Sequence, residues 1–162
     1  MNQTVKPIPE DMLSLTPYLT VKDAPAAIDF YCKAFAAQEQ ARMPGPDGRL
    51  LHASVKIGDS VLMLSEEFPE FGGASPLALG DSPVSIHLYV EDVDSAWQRA
   101  LAAGCEITMP LADAFWGDRF GALRDPFGHH WSLAMHIRDM SVEETVAAAA
   151  NIDFSANCGE AN

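Results

Sequence analysis

The apolar positions of the first third of the chain follow two periods in turn. Residues 16–21 (TPYLTV) form a short β-prone run, after which the spacing lengthens: Ala24, Ala27, Ile28, Tyr31 and Phe35 fall on one stripe of a helix. Asp23 stands where it caps that helix, and Pro25 lies in the first turn, where a missing N–H is tolerated. QEQARMP, RLLHASVKI and VLMLSEE then read as three strands, joined by a GPDG turn and a tight GDS. The unit is βαβββ.

The second half repeats it. Residues 84–90 (VSIHLYV) read as a strand, and Asp92 caps a helix whose Val93, Ala96, Trp97, Ala100 and Leu101 share one face. Gly104 stands at the position that ends it. Three β-prone segments follow, near 106–111, 120–123 and 130–136, with DPFG as the last turn. The copies align at an offset of 69, with Asp23 falling on Asp92 and Met63 on Ser132. The expected fold class is α+β: two βαβββ modules, 13–72 and 83–137, pair into one curved mixed sheet around a cup. Residues 73–82 are the linker. In the tail, 138–162, Ser141 and Glu144 form a capping box for a short C-terminal helix, and IDFSANCGEAN after it reads as loose. The whole of 1–162 is taken as one domain.

Composition narrows the function classes. Twenty-three acidic residues against 10 basic ones give a net charge of −13, which repels a phosphate backbone, so nucleic acid is not an expected partner. No apolar run reaches the roughly 18 to 20 residues of a membrane span, and MNQTVKPIPE lacks the apolar core of a signal peptide. No membrane partner is therefore expected, and the expected location is cytoplasmic. Cys32, Cys105 and Cys158 share no paired spacing and are read as reduced bystanders.

Strand alternation assigns faces to the polar candidates. Ser85 and His87 share one face, His52 and Ser54 share another, and His130 and His136 join Ser132, while Trp131 and Leu133 point beneath a helix. His87 is the candidate catalytic residue: an imidazole titrates near neutrality and suits proton abstraction. The plainer reading is a cavity histidine that hydrogen bonds to a ligand or neighbour. AFWGDRFG is read either as a loop plugging the sheet, with Asp118 and Arg119 exposed, or as a wall of the cup. In the second reading Trp116 and Phe120 stack on a flat ligand, and Arg119 meets an anionic group or Asp118. Tyr18 and Tyr89 are placed near the cavity, with Tyr89 turned toward the helix layer. SEEFPEF reads as a solvated connection, and GPDGR precedes no helix and is no phosphate loop.

Paired βαβββ units carrying VKDAPAAIDFYCKAF and RDPFGHHWSLA resemble the vicinal oxygen chelate superfamily, the glyoxalase and bleomycin-resistance fold, over residues 13–136. PDGRLLHASVKIGDSVLMLSEE, IHLYVEDVDSAWQRALAAG and FWGDRFGALRDPFG resemble its PhnB-like branch. Ala36 departs from the branch, which has a helix-ending glycine there. The resemblance implies a metal held by one ligand on the first and one on the last strand of each module. Those positions are Thr16, Met63, Ser85 and Ser132, none of them suited to a divalent ion that prefers carboxylate or imidazole. No metal and no cofactor are therefore expected. The expected function is metal-independent binding of an aromatic or amphipathic small molecule, such as sequestration of an antibiotic or metabolite. The proposed binding residues are Thr16, His52, Met63, Ser85, His87, Trp116, Arg119, Phe120 and Ser132. The alternative is a metal-dependent lyase, isomerase or dioxygenase using a displaced site built from His87 with His52, His130 or His136. The resemblance also implies a homodimer.

Overall fold

A computed structural model describes residues 5–151; Cys158 and the loose C-terminal segment expected over 152–162 lie outside the described residues. The first module runs β1 (Tyr18–Val21), α1 (Ala24–Phe35), β2 (Gln38–Pro44), β3 (Leu50–Ile57) and β4 (Ser60–Glu66). The second runs β5 (Ser85–Tyr89), α3 (Val93–Ala103), β6 (Glu106–Asp113), β7 (Asp118–Arg124) and β8 (His130–His136). Between them a short helix α2 (Pro76–Leu79) interrupts the expected linker, with Ser75 capping it through the Ala78 N–H. The expected capping box closes at α4 (Val142–Ala149), where Ser141 and Glu144 exchange side-chain and backbone hydrogen bonds of 2.8 and 3.1 Å.

Strand order is β1-β4-β3-β2 in one sheet and β5-β8-β7-β6 in the other. β1 and β4 run parallel, as do β5 and β8, and the remaining pairs are antiparallel. The 69-residue offset survives in the pairing: Tyr18 lies opposite Met63, and His87 lies opposite Ser132. Hydrogen bonding groups the strands as two four-stranded sheets, so the curved surface expected from the sequence is two sheets rather than one continuous ladder.

The helices form for the reasons their sequences suggest. Asp23 caps α1 by accepting from the Ala26 N–H at 3.1 Å, although it adopts a left-handed backbone to do so. Glu66, at the end of β4, accepts the Asp23 and Ala24 N–H groups at 2.6 and 2.8 Å, fixing the helix start to the sheet. At the other end Ala36 itself takes the left-handed conformation (φ 53°) where a glycine is usual, and the Ala37 N–H closes on the Tyr31 carbonyl at 3.2 Å. Asp92 caps α3 through Ser95, and Gly104 ends it.

The two modules share a single core on their helix-covered sides. α1 packs on α3, and Trp131 of β8 meets Phe35 and Tyr31 of α1 with ring centroids 4.3 and 5.6 Å apart. Gly121 lets α3 approach β7: a Cβ there would come within 2.6 Å of the Trp97 ring. At the centre of the junction the buried Asp125 carboxylate accepts four hydrogen bonds of 2.9 Å each, from the Tyr31 hydroxyl, the Trp131 indole and the backbone N–H groups of Phe127 and His129. Burial, and then the carboxylate beside it, pushes the Tyr31 phenol well above its usual range. His129, also buried, lies 3.2 Å from the Thr20 carbonyl. A carbonyl only accepts, so His129 Nε2 carries the proton and donates it, and burial holds its pKa below the usual value.

Asp125→Ala leaves several buried donors without an acceptor and is expected to cost on the order of 3 kcal/mol or more, whereas Tyr31→Phe removes one bond and costs about 1 kcal/mol. Urea denaturation midpoints check both. An Asp125→Ala protein as stable as the parent would contradict the assigned role.

Candidate functional site

Because the modules share their core on the helix side, each sheet keeps an opposite face that the helices do not cover. On the first sheet this face carries Tyr18, His52, Ser54 and Met63; Tyr18 and Ser54 are the two register partners of Met63. Ser54 is buried, but Tyr18 is half exposed, and its hydroxyl and His52 Nδ1 are 3.2 Å apart. On the second sheet the face carries Ser85, His87, Tyr89, Asp118, Phe120, Ser132 and His136. His87 Nδ1 and Ser132 Oγ share a hydrogen bond of 2.7 Å. The His87 ring lies parallel to Phe120 at 5.9 Å and edge-on to Tyr89 at 4.7 Å, and Trp116 meets Phe120 at 5.3 Å.

Asp118 organises this aromatic wall. It is only 3% exposed, and it accepts hydrogen bonds from the Tyr89 hydroxyl (2.8 Å), the Trp116 indole (3.0 Å) and His136 Nδ1 (2.8 Å). Burial alone pushes its carboxyl up, but the bonds from His136, Tyr89 and Trp116 outweigh that and hold it below the usual carboxylate value. The same contacts act on the partners. The bond to Asp118 raises the Tyr89 phenol, and bonds to Asp139 and then Asp118 raise His136. The loop before β7 is fixed by Gly117, whose carbonyl accepts the Ile137 and Arg138 N–H groups at 2.9 and 3.0 Å. Gly117 adopts φ 101°, and a Cβ there would strike the Arg138 carbonyl at 2.1 Å, so glycine is required for the loop to lie against the segment after β8.

Three expectations change. Tyr89 does not face the helix layer: residues two apart on a strand share a face, so it stands beside His87. Asp118 is buried rather than exposed. Arg119 alternates with Asp118 and Phe120 and therefore leaves the wall. Its guanidinium forks onto Asp94 of α3 at 2.8 to 3.2 Å and reaches Asp113 at 3.0 Å. Asp118, not Arg119, is the charged member of this face, and the same rule of alternation applied to Phe120 would have identified it from the sequence.

The remaining candidates occupy separate places. Thr16 precedes β1, its hydroxyl donating to the Leu13 carbonyl at 3.0 Å. With His87, Ile57, Leu62 and Ile86 it borders an apolar cleft of about 230 Å³ where the modules meet. His130 Nε2 is bound to Asp81 at 2.7 Å. As donors for a resident metal, Thr16, Met63, Ser85 and Ser132 offer three hydroxyls and one thioether, a set that does not fit a divalent ion preferring carboxylate or imidazole. Among the described residues no three His, Cys, Asp or Glu side chains converge as a metal site. His52, His87, His130 and His136 each have a different polar partner.

Two copies of one βαβββ module, fused through their helix layers and presenting an aromatic face, define a protein of the paired-module class. A family model described as Glyoxalase/Bleomycin resistance protein/Dioxygenase superfamily matches residues 12–133, and the chain belongs to that superfamily. An uncharacterized protein of Mycobacterium bovis is 50% identical over 141 residues, covering 85% of this chain and 93% of that one. Among solved structures, TioX from Micromonospora sp. ML1 is 27% identical with a TM-score of 0.61, covering 76% of this chain and 98% of its own. PA1353 from Pseudomonas aeruginosa is 25% identical with a TM-score of 0.64, covering 78% and 99%. No helix among the described residues is long and apolar enough to cross a membrane.

The Asp118–His136 contact makes stability depend on pH. A histidine raised in the folded state contributes fully below its unfolded pKa of about 6.5 and loses that contribution as pH climbs through the folded value. Asp118, lowered in the folded state, contributes above its unfolded pKa of about 3.9 and loses that contribution as pH falls through its folded value. The advantage of the parent over His136→Gln is therefore expected to be largest between about pH 4 and 6.5 and to narrow above that window. Urea midpoints measured across pH check this, and an advantage that grows toward alkaline pH would contradict it.

Proposed function

We propose that this chain is a metal-independent binding protein that holds an aromatic or amphipathic small molecule, in the manner of a sequestering protein. The observation that carries this reading is the wall of His87, Tyr89, Trp116 and Phe120 on a sheet face left open by the core. Flat rings and a few placed polar groups are what a small-molecule site requires, and the side chains at the superfamily's metal positions favour shape and hydrogen bonding over coordination. Ser132 and His87 supply a polar floor, and Met63 with His52 and Tyr18 supplies the matching apolar and polar face of the first sheet.

The protein acts as a homodimer in this reading. Tyr18, Met43 and Tyr89 are each about half exposed on faces the chain's own helices cannot reach, and a second copy closes them into a cup. The motifs FWGDRFGALRDPFG and IHLYVEDVDSAWQRALAAG support a place in the PhnB-like branch, and a cytoplasmic location accompanies it.

Tag-free, chelator-treated protein is expected to sediment as a dimer and to bind 2-naphthol in calorimetry, with Trp116→Ala weakening binding at least about tenfold, the scale of losing one aromatic contact in a closed site. Elemental analysis of the same sample is expected to give no stoichiometric metal. A stoichiometric ion that is lost in His87→Ala, or binding that appears only after a divalent ion is added, would overturn the proposal in favour of a histidine metal site.

A further inference from the structure

We propose that the cleft between the modules is a second subsite for the same ligand, a slot for an unbranched saturated tail carried by the ring that lies on the wall. The inference rests on the binding reading above and narrows its ligand to an alkyl-substituted aromatic compound.

β1 and β5 each end their own sheet, and the cleft opens between β5 and the segment that leads into β1. Strand alternation turns Ile86 and Leu88 toward the helix side and His87 toward the open face. Ile57, Leu62 and Trp131 are the buried side of the cleft, Trp131 being only 1% exposed, and Leu13 and Leu15 are its exposed side. His87 belongs to both places. It borders the cleft, and its ring stacks on Phe120 and stands edge-on to Tyr89. A flat ring seated on that wall therefore has the mouth of the cleft beside it.

The lining selects what enters. Its hydroxyls are already engaged, Thr16 donating to the Leu13 carbonyl at 3.0 Å and Ser60 to the Asp59 carboxylate at 2.8 Å. His87 Nδ1 is held by Ser132 at 2.7 Å. Past the imidazole, what these side chains offer is hydrocarbon. A charged or polar substituent would give up its water there without a side-chain partner in return, whereas each methylene gains by leaving water. Size sets the length of the tail: a cleft of about 230 Å³, at about 30 Å³ for each water-sized group, holds about seven such groups, a short chain.

The test titrates phenol and its 4-ethyl, 4-butyl, 4-hexyl and 4-decyl derivatives into the full chain by calorimetry, each below the concentration at which it aggregates, with 4-tert-butylphenol as the bulky comparison. Affinity is expected to rise about two- to fourfold for each added methylene as far as hexyl, to gain little from hexyl to decyl, and to favour the straight butyl chain over tert-butyl. Ile86→Trp, which puts an indole into the cleft, is expected to remove the gain from ethyl to hexyl. A proton–nitrogen correlation spectrum of the parent protein needs no variant: 2-naphthol is expected to move the Trp116 indole signal alone, and 4-hexylphenol to move that of Trp131 as well. A flat series, a series that climbs while the Trp131 signal stays still, or tert-butyl bound as tightly as straight butyl would overturn the tail slot and leave the wall intact. A Trp116 signal that neither 2-naphthol nor 4-hexylphenol moves would overturn both readings.

Discussion

The structure depends on one buried carboxylate. Asp125 sits at the junction of the modules and binds the Tyr31 hydroxyl from the first and the Trp131 indole from the second, together with the backbone N–H groups of Phe127 in its own DPFG turn and of His129 just after it. A buried charge is tolerated only when its hydrogen-bonding capacity is met, and four donors meet it here. The same turn sends His129 to the Thr20 carbonyl, a second polar tie across the junction. Around these ties the rings of Tyr31, Phe35, Phe127 and Trp131 pack together. The modules are therefore joined through their helix sides, and that choice decides where function can sit. What the core covers on one side of each sheet it leaves open on the other.

The open face of the second sheet repeats the device on a smaller scale. Asp118 is also buried and also bound by an aromatic hydroxyl and an indole, but its third partner is a histidine that reaches solvent. Asp125 is sealed and holds the fold; Asp118 is sealed on one side and hands its charge to the surface through His136.

Much of this was legible in the sequence because it rested on periodicity. Helix faces, caps at Asp23 and Asp92, the DPFG turn and the offset relating Met63 to Ser132 all follow from spacing, and all appear in the structure. The errors concerned where side chains go once strands are assembled. Tyr89 shares the face of His87 by alternation, against the expectation that it faces the helix layer, and Arg119 alternates with Asp118 and Phe120 onto the helix side, where it binds Asp94, against the expectation that it joins the wall. The burial of Asp118 was not legible from its surroundings, because a charged residue between Gly117 and Arg119 looks like a loop until β7 and the segment after β8 close over it. Nor did spacing show that the modules join through their helices, since that depends on Tyr31 and Asp125, 94 positions apart, meeting across the core.

The central claim is that a ligand sits on the Trp116 wall without a metal. It is tested most directly by the indole N–H signals in a proton–nitrogen correlation spectrum of chelator-treated protein titrated with 2-naphthol. The Trp116 signal is expected to move in step with ligand while that of Trp131, sealed against Asp125, stays fixed. A Trp116 signal that does not move, or that moves only once a divalent ion is supplied, would contradict the account.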